Sequence, residues 1–450
     1  MIRSLVLSSS LLVLAGCASF GTSPATEADA ALVMPDGYDY RAEVATLSAT
    51  EQDWWSTFSS APLDALVAEA LTTNQTLAQG VANVEASRAA LKVANASLLP
   101  QASASLSSSS DTQSGLDDVT SSGRLSASYE LDLFGANAAS RAAARADLEA
   151  AIFSQRALEL TVQSDVATNY FNLLSSREQL KVAKTNLEIA ERIYEIVQVR
   201  YKAGAISGFD VSSQEAQLAT TRARIPQLES QIAGLETALA ILLGRVPQGY
   251  EAPSEDILEI ALPSTDPGLP SGLLLRRPDL MQSEANLRAA SANIDAARAA
   301  FLPSIDLGAG VSSLLTSGAD VTTSLSASLA ATIFSGGRLE AQLDSAKARQ
   351  AGQLAAYRQS ILSALRDVDV SLKSVESNAA REEQLLIARD AALDALDAAE
   401  LRYRSGAGDL TSLLNAQQNY ADASNNYVLG RLDRLTSAIN LFVALGGSYG

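Results

Sequence analysis

The side chains that could do chemistry are few. Among 450 residues there is no histidine and a single cysteine, Cys17. Histidine-dependent triads, zinc sites built from Cys and His, and disulfides therefore lack their parts. Carboxylates are abundant, 51 against 33 basic side chains. Neighbouring pairs such as Asp117-Asp118 and Glu382-Glu383 are then expected by chance. The first pair falls on an expected loop and the second on an expected exposed helix face. Gly336-Gly337 stands between a strand and a helix, as a phosphate loop would. It lacks the further glycines and the lysine of such a loop, so it reads as a plain strand-to-helix turn. Nucleophilic, metal and nucleotide chemistry are all without their residues, and neither an enzyme nor a bound cofactor is expected. The net charge of −18 argues against nucleic acid, which needs a basic face. That charge serves solubility, or an acidic lumen favouring cationic solutes.

What remains is electrostatic. Two short segments, RYKAGA at Arg200–Ala205 and RYRSGA at Arg402–Ala407, each carry acids just downstream: Asp210 after the first, Asp409 after the second. Gly204 and Gly208, and Gly406 and Gly408, interrupt good helix-forming sequence and let it restart, which describes a helical hairpin tip. Asp409 and Asp210 could cap the restarting helices, which Asp does well.

The elements that position these tips are duplicated. Ala82–Pro100 (ANVEASRAALKVANASLLP) is echoed by Ala285–Pro303 (ANLRAASANIDAARAAFLP), LSAS at Leu125 by LSAS at Leu325, and Leu243-Gly244 by Leu445-Gly446. The offsets stay between 200 and 203 residues. A repeat of this length is a duplicated structural unit. No proline lies between Pro100 and Pro226 or after Pro303, so very long helices are permitted. From Gly135 to Tyr201 there is no internal glycine, which allows a helix of roughly 100 Å at 1.5 Å per residue. Leu173, Leu180, Leu187, Tyr194 and Tyr201 fall at sevenfold spacing, as do Leu365, Leu372, Ala379, Leu386 and Leu393. Such spacing predicts coiled-coil packing.

Between the helices lie alternating runs. Leu125, Ala127, Tyr129, Leu131 and Leu133 alternate with Ser126, Ser128, Glu130 and Asp132. Leu325, Ala327, Leu329, Ala331 and Ile333 do the same with small polar residues. Period-two alternation marks strands with one apolar and one polar face, and each run is long enough to cross a bilayer when tilted. An ordinary soluble sheet with one buried face gives the same alternation. The small, serine-rich polar faces favour a wet lumen. Four strands cannot close a barrel in lipid, so several copies must share one.

The N-terminus carries Arg3, a short apolar run Leu5–Val13, and Leu14-Ala15-Gly16-Cys17. The run is too short to span as a helix. The tetrapeptide resembles a bacterial lipobox, whose cysteine receives a covalent lipid such as palmitate and becomes the new N-terminus. Ala18-Ser19 follows, which by the same resemblance permits sorting to the outer membrane of a Gram-negative bacterium. Acyl chains anchor without spanning.

The most specific stretch is Leu275-Arg276-Arg277-Pro278-Asp279-Leu280, continuing through Glu284, Leu287, Ala290, Ile294, Ala297, Phe301 and Pro303. With Trp54-Trp55 and Phe58, Asn74 ahead of Leu77, Leu131-Asp132-Leu133-Phe134-Gly135 and the two hairpins, it resembles the TolC-type outer-membrane efflux duct family, in its NodT-like lipoprotein branch. The resemblance implies an α+β, mostly α chain with an internal twofold repeat. Three chains would form a homotrimer, giving a 12-stranded transmembrane β-barrel with four strands per chain, continuous with a long periplasmic α-helical barrel. It implies a periplasmic adaptor and an inner-membrane RND pump as partners. The protein would be the passive exit duct of a tripartite efflux pump. By the same resemblance the two hairpins are periplasmic tips that converge in a trimer on a constriction, where a ring of like charges would bind cations or repel when opened. The family commonly carries aspartates six and nine residues after the second-half glycine; Ser412 and Asn415 stand there instead. The constriction candidates are then Asp409, Leu410, Ser412 and Asn415, with Asp210 at the neighbouring tip, a role as open to the two acids as capping. Alternatives are an exit duct for type I protein secretion, or a structural coiled-coil lipoprotein of the envelope.

The expected layout is as follows. Residues 1–16 are a signal peptide and 17–61 an N-terminal tether, whose Trp54, Trp55 and Phe58 pack on the body. Repeat 1 covers 62–247: a helix, a strand pair at 99–134, a long helix at 136–202 and a helix at 208–244. A linker follows at 248–274. Repeat 2 covers 275–446, with a strand pair at 302–334, a long helix at 338–404 and a helix at 409–446. Residues 447–450 are a tail.

Overall fold

Helix-forming sequence free of proline produces two helices of 67 residues each; the first has no internal glycine, the second only Gly352. The computed structural model describes residues 34–35, 37–38, 53–110, 119–263, 270–315 and 321–447. A 3-10 turn at Trp54–Phe58 leads into α1 (Ala61–Thr73) and α2 (Gln75–Ala96). Strands β1 (Gln101–Ser110) and β2 (Val119–Glu130) follow, then α3 (Ala136–Lys202) and α4 (Gly208–Leu242). The second half repeats the order: a short α5 (Leu273–Arg276), α6 (Pro278–Ala299), β3 (Ser304–Leu314), β4 (Val321–Ala330), α7 (Arg338–Arg404) and α8 (Leu410–Ala444). The chain is thus mostly helical, with one antiparallel sheet in the order β1-β2-β3-β4. Cys17 and Asp117-Asp118 lie outside the described residues.

Two compact units are present, and each draws on both halves of the sequence. One comprises Val84–Ile152 and Gln282–Ser360, including all four strands. The other comprises Met34–Asn83, Phe153–Met281 and Ile361–Gly450. Helices α3 and α7 begin in the first unit and end in the second.

In the first unit the strands pair so that like faces align. Ala102, Leu125 and Val311 lie on one face. Ser103, Ser126, Gly310 and Ser324 lie in one row on the other. The hydroxyls of Ser103 and Ser126 are 2.9 Å apart, those of Ser107 and Ser122 2.8 Å. Glycine at 308 and 310 leaves room for cross-strand serines, since an added Cβ would come within 2.6 Å of the Ser326 hydroxyl and 3.0 Å of the Ser324 hydroxyl and force them to rotate. Apolar side chains on the opposite face are bare, with Leu325 89% and Leu106 76% exposed.

In the second unit the N-terminal aromatics anchor the core. The Trp54 ring stacks on Phe442 at 5.3 Å, and Phe58 meets Phe171 edge-on at 5.2 Å. The Trp54 indole N–H donates to Gln163 (3.0 Å). The connector after α4 is held by two arginines. Arg177 donates to the carbonyls of Pro253 (2.7 Å) and Ala252 (3.0 Å) while pairing with Glu236 (2.6 Å). Arg431 donates to the carbonyls of Ile257 (3.2 Å), Leu258 (3.2 Å) and Ile260, and pairs with Glu382 (3.3 Å).

Three expectations need correction. Glu382 is not on an exposed face: it is buried between Arg431 and Arg434, because α8 brings two guanidiniums onto it. The helix after residue 62 is not continuous but breaks at Asn74. The heptad stripe of α3 meets the core at Leu173, which is fully buried, but leaves the buried seam further along the helix. Ala183, Asn186, Ala190, Ile193 and Val197 are the buried three-four series of α3. Leu180, Leu187 and Tyr194 flank it half-buried, and Tyr201 is half exposed. Apart from Asn186 both stripes are apolar or aromatic, so spacing alone could not choose between them.

Candidate functional site

Both hairpin tips are built the same way. After α3, Gly204 adopts φ +70°, and the Ala205 N–H reaches back to the Arg200 carbonyl (2.9 Å). After α7, Gly406 adopts φ +78°, and the Ala407 N–H reaches the Arg402 carbonyl (2.9 Å). The left-handed glycine reverses the chain and satisfies last-turn carbonyls.

The restarting helices are capped by the same two residue types in opposite order. At the first tip Ser207 precedes α4, and both its backbone N–H and its hydroxyl donate to the Asp210 carboxylate at 2.9 Å. At the second, Asp409 precedes α8; its carboxylate accepts from the Ser412 backbone N–H (2.8 Å) and hydroxyl (2.9 Å). An offset of 202 positions matches Ser207 with Asp409 and Asp210 with Ser412. The capping role for both acids is therefore present in the structure. These donations from Ser412, backbone first, hold the Asp409 carboxyl below its ordinary range, so it is ionised at neutral pH and is no general acid.

Of the remaining expected tip residues, Ser412 and Asn415 are exposed, and Asp210 is half-buried. Leu410 is 8% exposed and packs with Leu413, Tyr403, Leu396, Ile189, Ile193 and Val197 in the tip core. Gly208 begins α4 in open space, whereas a Cβ on Gly408 would crowd Arg402 and Tyr403 at 3.1–3.3 Å. The hairpins are cross-linked. Arg200 lies 4.4 Å over the Tyr403 ring and donates to its carbonyl (2.7 Å), and Arg192 forks onto Glu400 at 3.2 and 3.1 Å. Gln217 donates to Gln418 (3.2 Å). Buried Gln214 and Gln417 each leave a side-chain oxygen without a partner.

Sequence reasoning missed Phe209, which is 78% exposed beside Asp210; an aromatic between Gly208 and Asp210 at a helix start was the available signal. It also missed the Arg431–Glu382 pair, whose 49-residue separation follows no local period. Among the described residues no cluster of His, Cys, Asp and Glu could hold a metal ion, and no helix is long and apolar enough to cross a membrane. The arrangement has fixed charges and hydrogen-bonded caps but no nucleophile with a base.

A duplicated strand-pair and helical-hairpin chain of this kind has known relatives. The profile of the family described as outer membrane efflux protein matches residues 66–245 and 269–447. The chain is 35% identical over 464 aligned residues to the pyoverdine export outer membrane protein OpmQ of Pseudomonas aeruginosa, covering 99% of this chain and 97% of that one. It is 32% identical to SilC of Salmonella typhimurium, named a probable outer membrane lipoprotein, over 98% of both chains. The solved outer-membrane channel OprN superposes with a TM-score of 0.80 at 26% identity, covering 93% of this chain and 98% of that one. The chain belongs to the outer membrane efflux protein family. It is an outer-membrane efflux channel protein and not an enzyme.

Proposed function

We propose that three copies of this chain assemble into one conduit, the exit duct of a tripartite efflux pump. The observation that carries this is the sheet. Its four strands leave β1 and β4 without outer partners among the described residues, and its apolar face is bare. Such edges are not tolerated in lipid. Two copies would make eight strands, an interior that side chains fill. Three copies make twelve, the smallest count in this series that leaves a duct. The half-exposed stripe on α3 and the bare Val199 and Leu401 (67% and 70%) suit packing against further helices in a tubular array continuous with the barrel. The sequence resemblance agrees on the number three.

In this reading Cys17 carries the lipid anchor. The tips converge at the periplasmic end, where Asp409, Ser412 and Asn415 face the axis and Asp210 stands on the neighbouring tip. Leu410 supports them from the core. The partners are a periplasmic adaptor and an inner-membrane RND pump, which supplies the energy. The names of similar relatives mention pyoverdine, antibiotics and toluene, which fits a passive duct whose cargo is chosen upstream.

Planar-bilayer conductance combined with the native mass of purified protein tests the proposal. A trimer giving discrete channels is expected. A protein that stays monomeric and forms no pore would sink it.

A further inference from the structure

The polar face of the sheet is nearly free of charge, with one exception in its middle. Along β1 to β4 the described strands carry three charged residues: Arg124, Glu130 and Asp306. Strand pairing puts Arg124 in one row with Ser105, Ser312 and Thr322. None of these can neutralise it, and all are small. Six residues along β2, on the same face, Glu130 stands directly opposite Asp306, about 20 Å away at 3.3 Å per residue. Between the two levels lie Ser126, Ser128, Gly308, Gly310, Ser324 and Ser326.

Arg124 cannot belong to the lipid face. A guanidinium there is strongly disfavoured at mid-bilayer, and the opposite face already carries Leu125, Ala127, Leu325 and Leu329. A long guanidinium flanked by serines extends into whatever space the polar face encloses. Repeated three times around a closed barrel, it makes a cationic ring with no counter-charge at its own level. Like charges across a lumen sum at its axis, where low-dielectric walls focus the field.

We propose that Arg124 is the charge-selecting residue of the barrel, drawing anionic solutes into it and retarding cationic ones. This rests on the trimeric barrel reading above. It also runs against the acidic balance of the whole chain, which by itself would predict the opposite preference.

The test reads the local potential at a cysteine placed at Ser126, two residues from Arg124 on the same face, in the full-length protein in native outer-membrane vesicles at about 0.1 M salt. Two methanethiosulfonates of similar size are compared, one bearing a sulfonate and one a trimethylammonium. The unaltered chain, whose lipidated Cys17 offers no free thiol, supplies the background. Arg124 also favours the thiolate, but that raises both rates alike and cancels in their ratio. The sulfonate-to-ammonium rate ratio should fall roughly fourfold when Arg124→Ser is added, as three screened charges near 10 Å dictate, and should persist with Arg124→Lys. A ratio unmoved by Arg124→Ser overturns the assignment while leaving the barrel intact. If neither reagent reaches Ser126→Cys in vesicles, the polar face is not a lumen, and the barrel reading falls with it.

Discussion

Asn74 and Arg277 stand 203 positions apart and do the same job. The Asn74 amide donates to the Leu242 carbonyl (2.7 Å), and the Arg277 guanidinium donates to the Ala444 carbonyl (3.1 Å). Leu242 and Ala444 are the last residues of α4 and α8. Each donor sits at a helix break, between α1 and α2 or between α5 and α6, and ties it to the end of a long helix. Asn74 in addition accepts from the N–H groups of Thr76 (2.9 Å) and Leu77 (3.0 Å), capping α2. Arg277 instead grips Asp279 with two bonds (3.0 and 2.8 Å). Replacing Asn74 with Ala removes a cap and strands a carbonyl, so it should lower stability by about 1–2 kcal/mol. Asn74→Asp keeps the cap but loses the amide donor, and should fall between. Denaturant unfolding of the detergent-purified protein checks the order.

The two tips should answer differently to the same substitution. Gly208 opens α4 with nothing within 4 Å of an added Cβ. Its replacement by Ala should be neutral or stabilise by up to about 1 kcal/mol, through the unfolded chain. At Gly408 the same methyl meets the Tyr403 backbone N at 3.2 Å, and a rigid neighbour cannot yield. Gly408→Ala should destabilise the second tip. Protease nicking between Arg402 and Leu413 reads this directly, and equal nicking of the two variants would contradict it.

Acid should loosen the second tip through Asp409. Its carboxyl is held below the ordinary range by donation from Ser412. A depressed carboxylate stabilises the fold fully above its unfolded pKa and loses that contribution as pH falls through the folded value. Hydrogen exchange at the start of α8, corrected for intrinsic rates, should therefore rise only below about pH 4. Asp409→Asn caps without titrating and should abolish that step. The same variant separates capping from charge. If Asp409 lines a closed constriction, Asp409→Asn should alter ion leakage in bilayers while leaving exchange at neutral pH unchanged. Asp409→Ala should change both.

Much of this was legible in the sequence, for definite reasons. Glycine at 204 and 406 and the acids behind them are local signals, and local geometry obeyed them. The serine and leucine alternation marked both strand pairs, since period two has one structural meaning. The break at Asn74 was not legible as a break, because nothing near it forbids helix; only its long-range bond to Leu242 decides it. The seam of α3 was hidden because Leu187 and Tyr194 are as apolar as Ala190 and Ile193. Glu382 looked like a solvated carboxylate because its partners, Arg431 and Arg434, arrive from a different helix.

That buried cluster yields the largest expected stability effect. Arg431 and Glu382 are 8% and 7% exposed. The guanidinium is the shared partner of Glu382 and of three connector carbonyls. Arg431→Ala would leave an ionised carboxylate buried, with only Arg434 at 2.6 Å to hold it, and would free the connector near Ile257 and Ile260. Breaking a buried pair from one side commonly costs about 3–5 kcal/mol. Arg434, one-third exposed, relieves part of that, so a loss of about 2–4 kcal/mol is expected. Adding Glu382→Gln should recover a portion by removing the charge, but not the connector's lost donors. Unfolding of the single and double variants measures the first effect, and proteolysis within residues 253–263 the second. Recovery of stability without recovery of protection assigns Arg431 two separable roles. Recovery of both would reduce it to a partner for Glu382 alone.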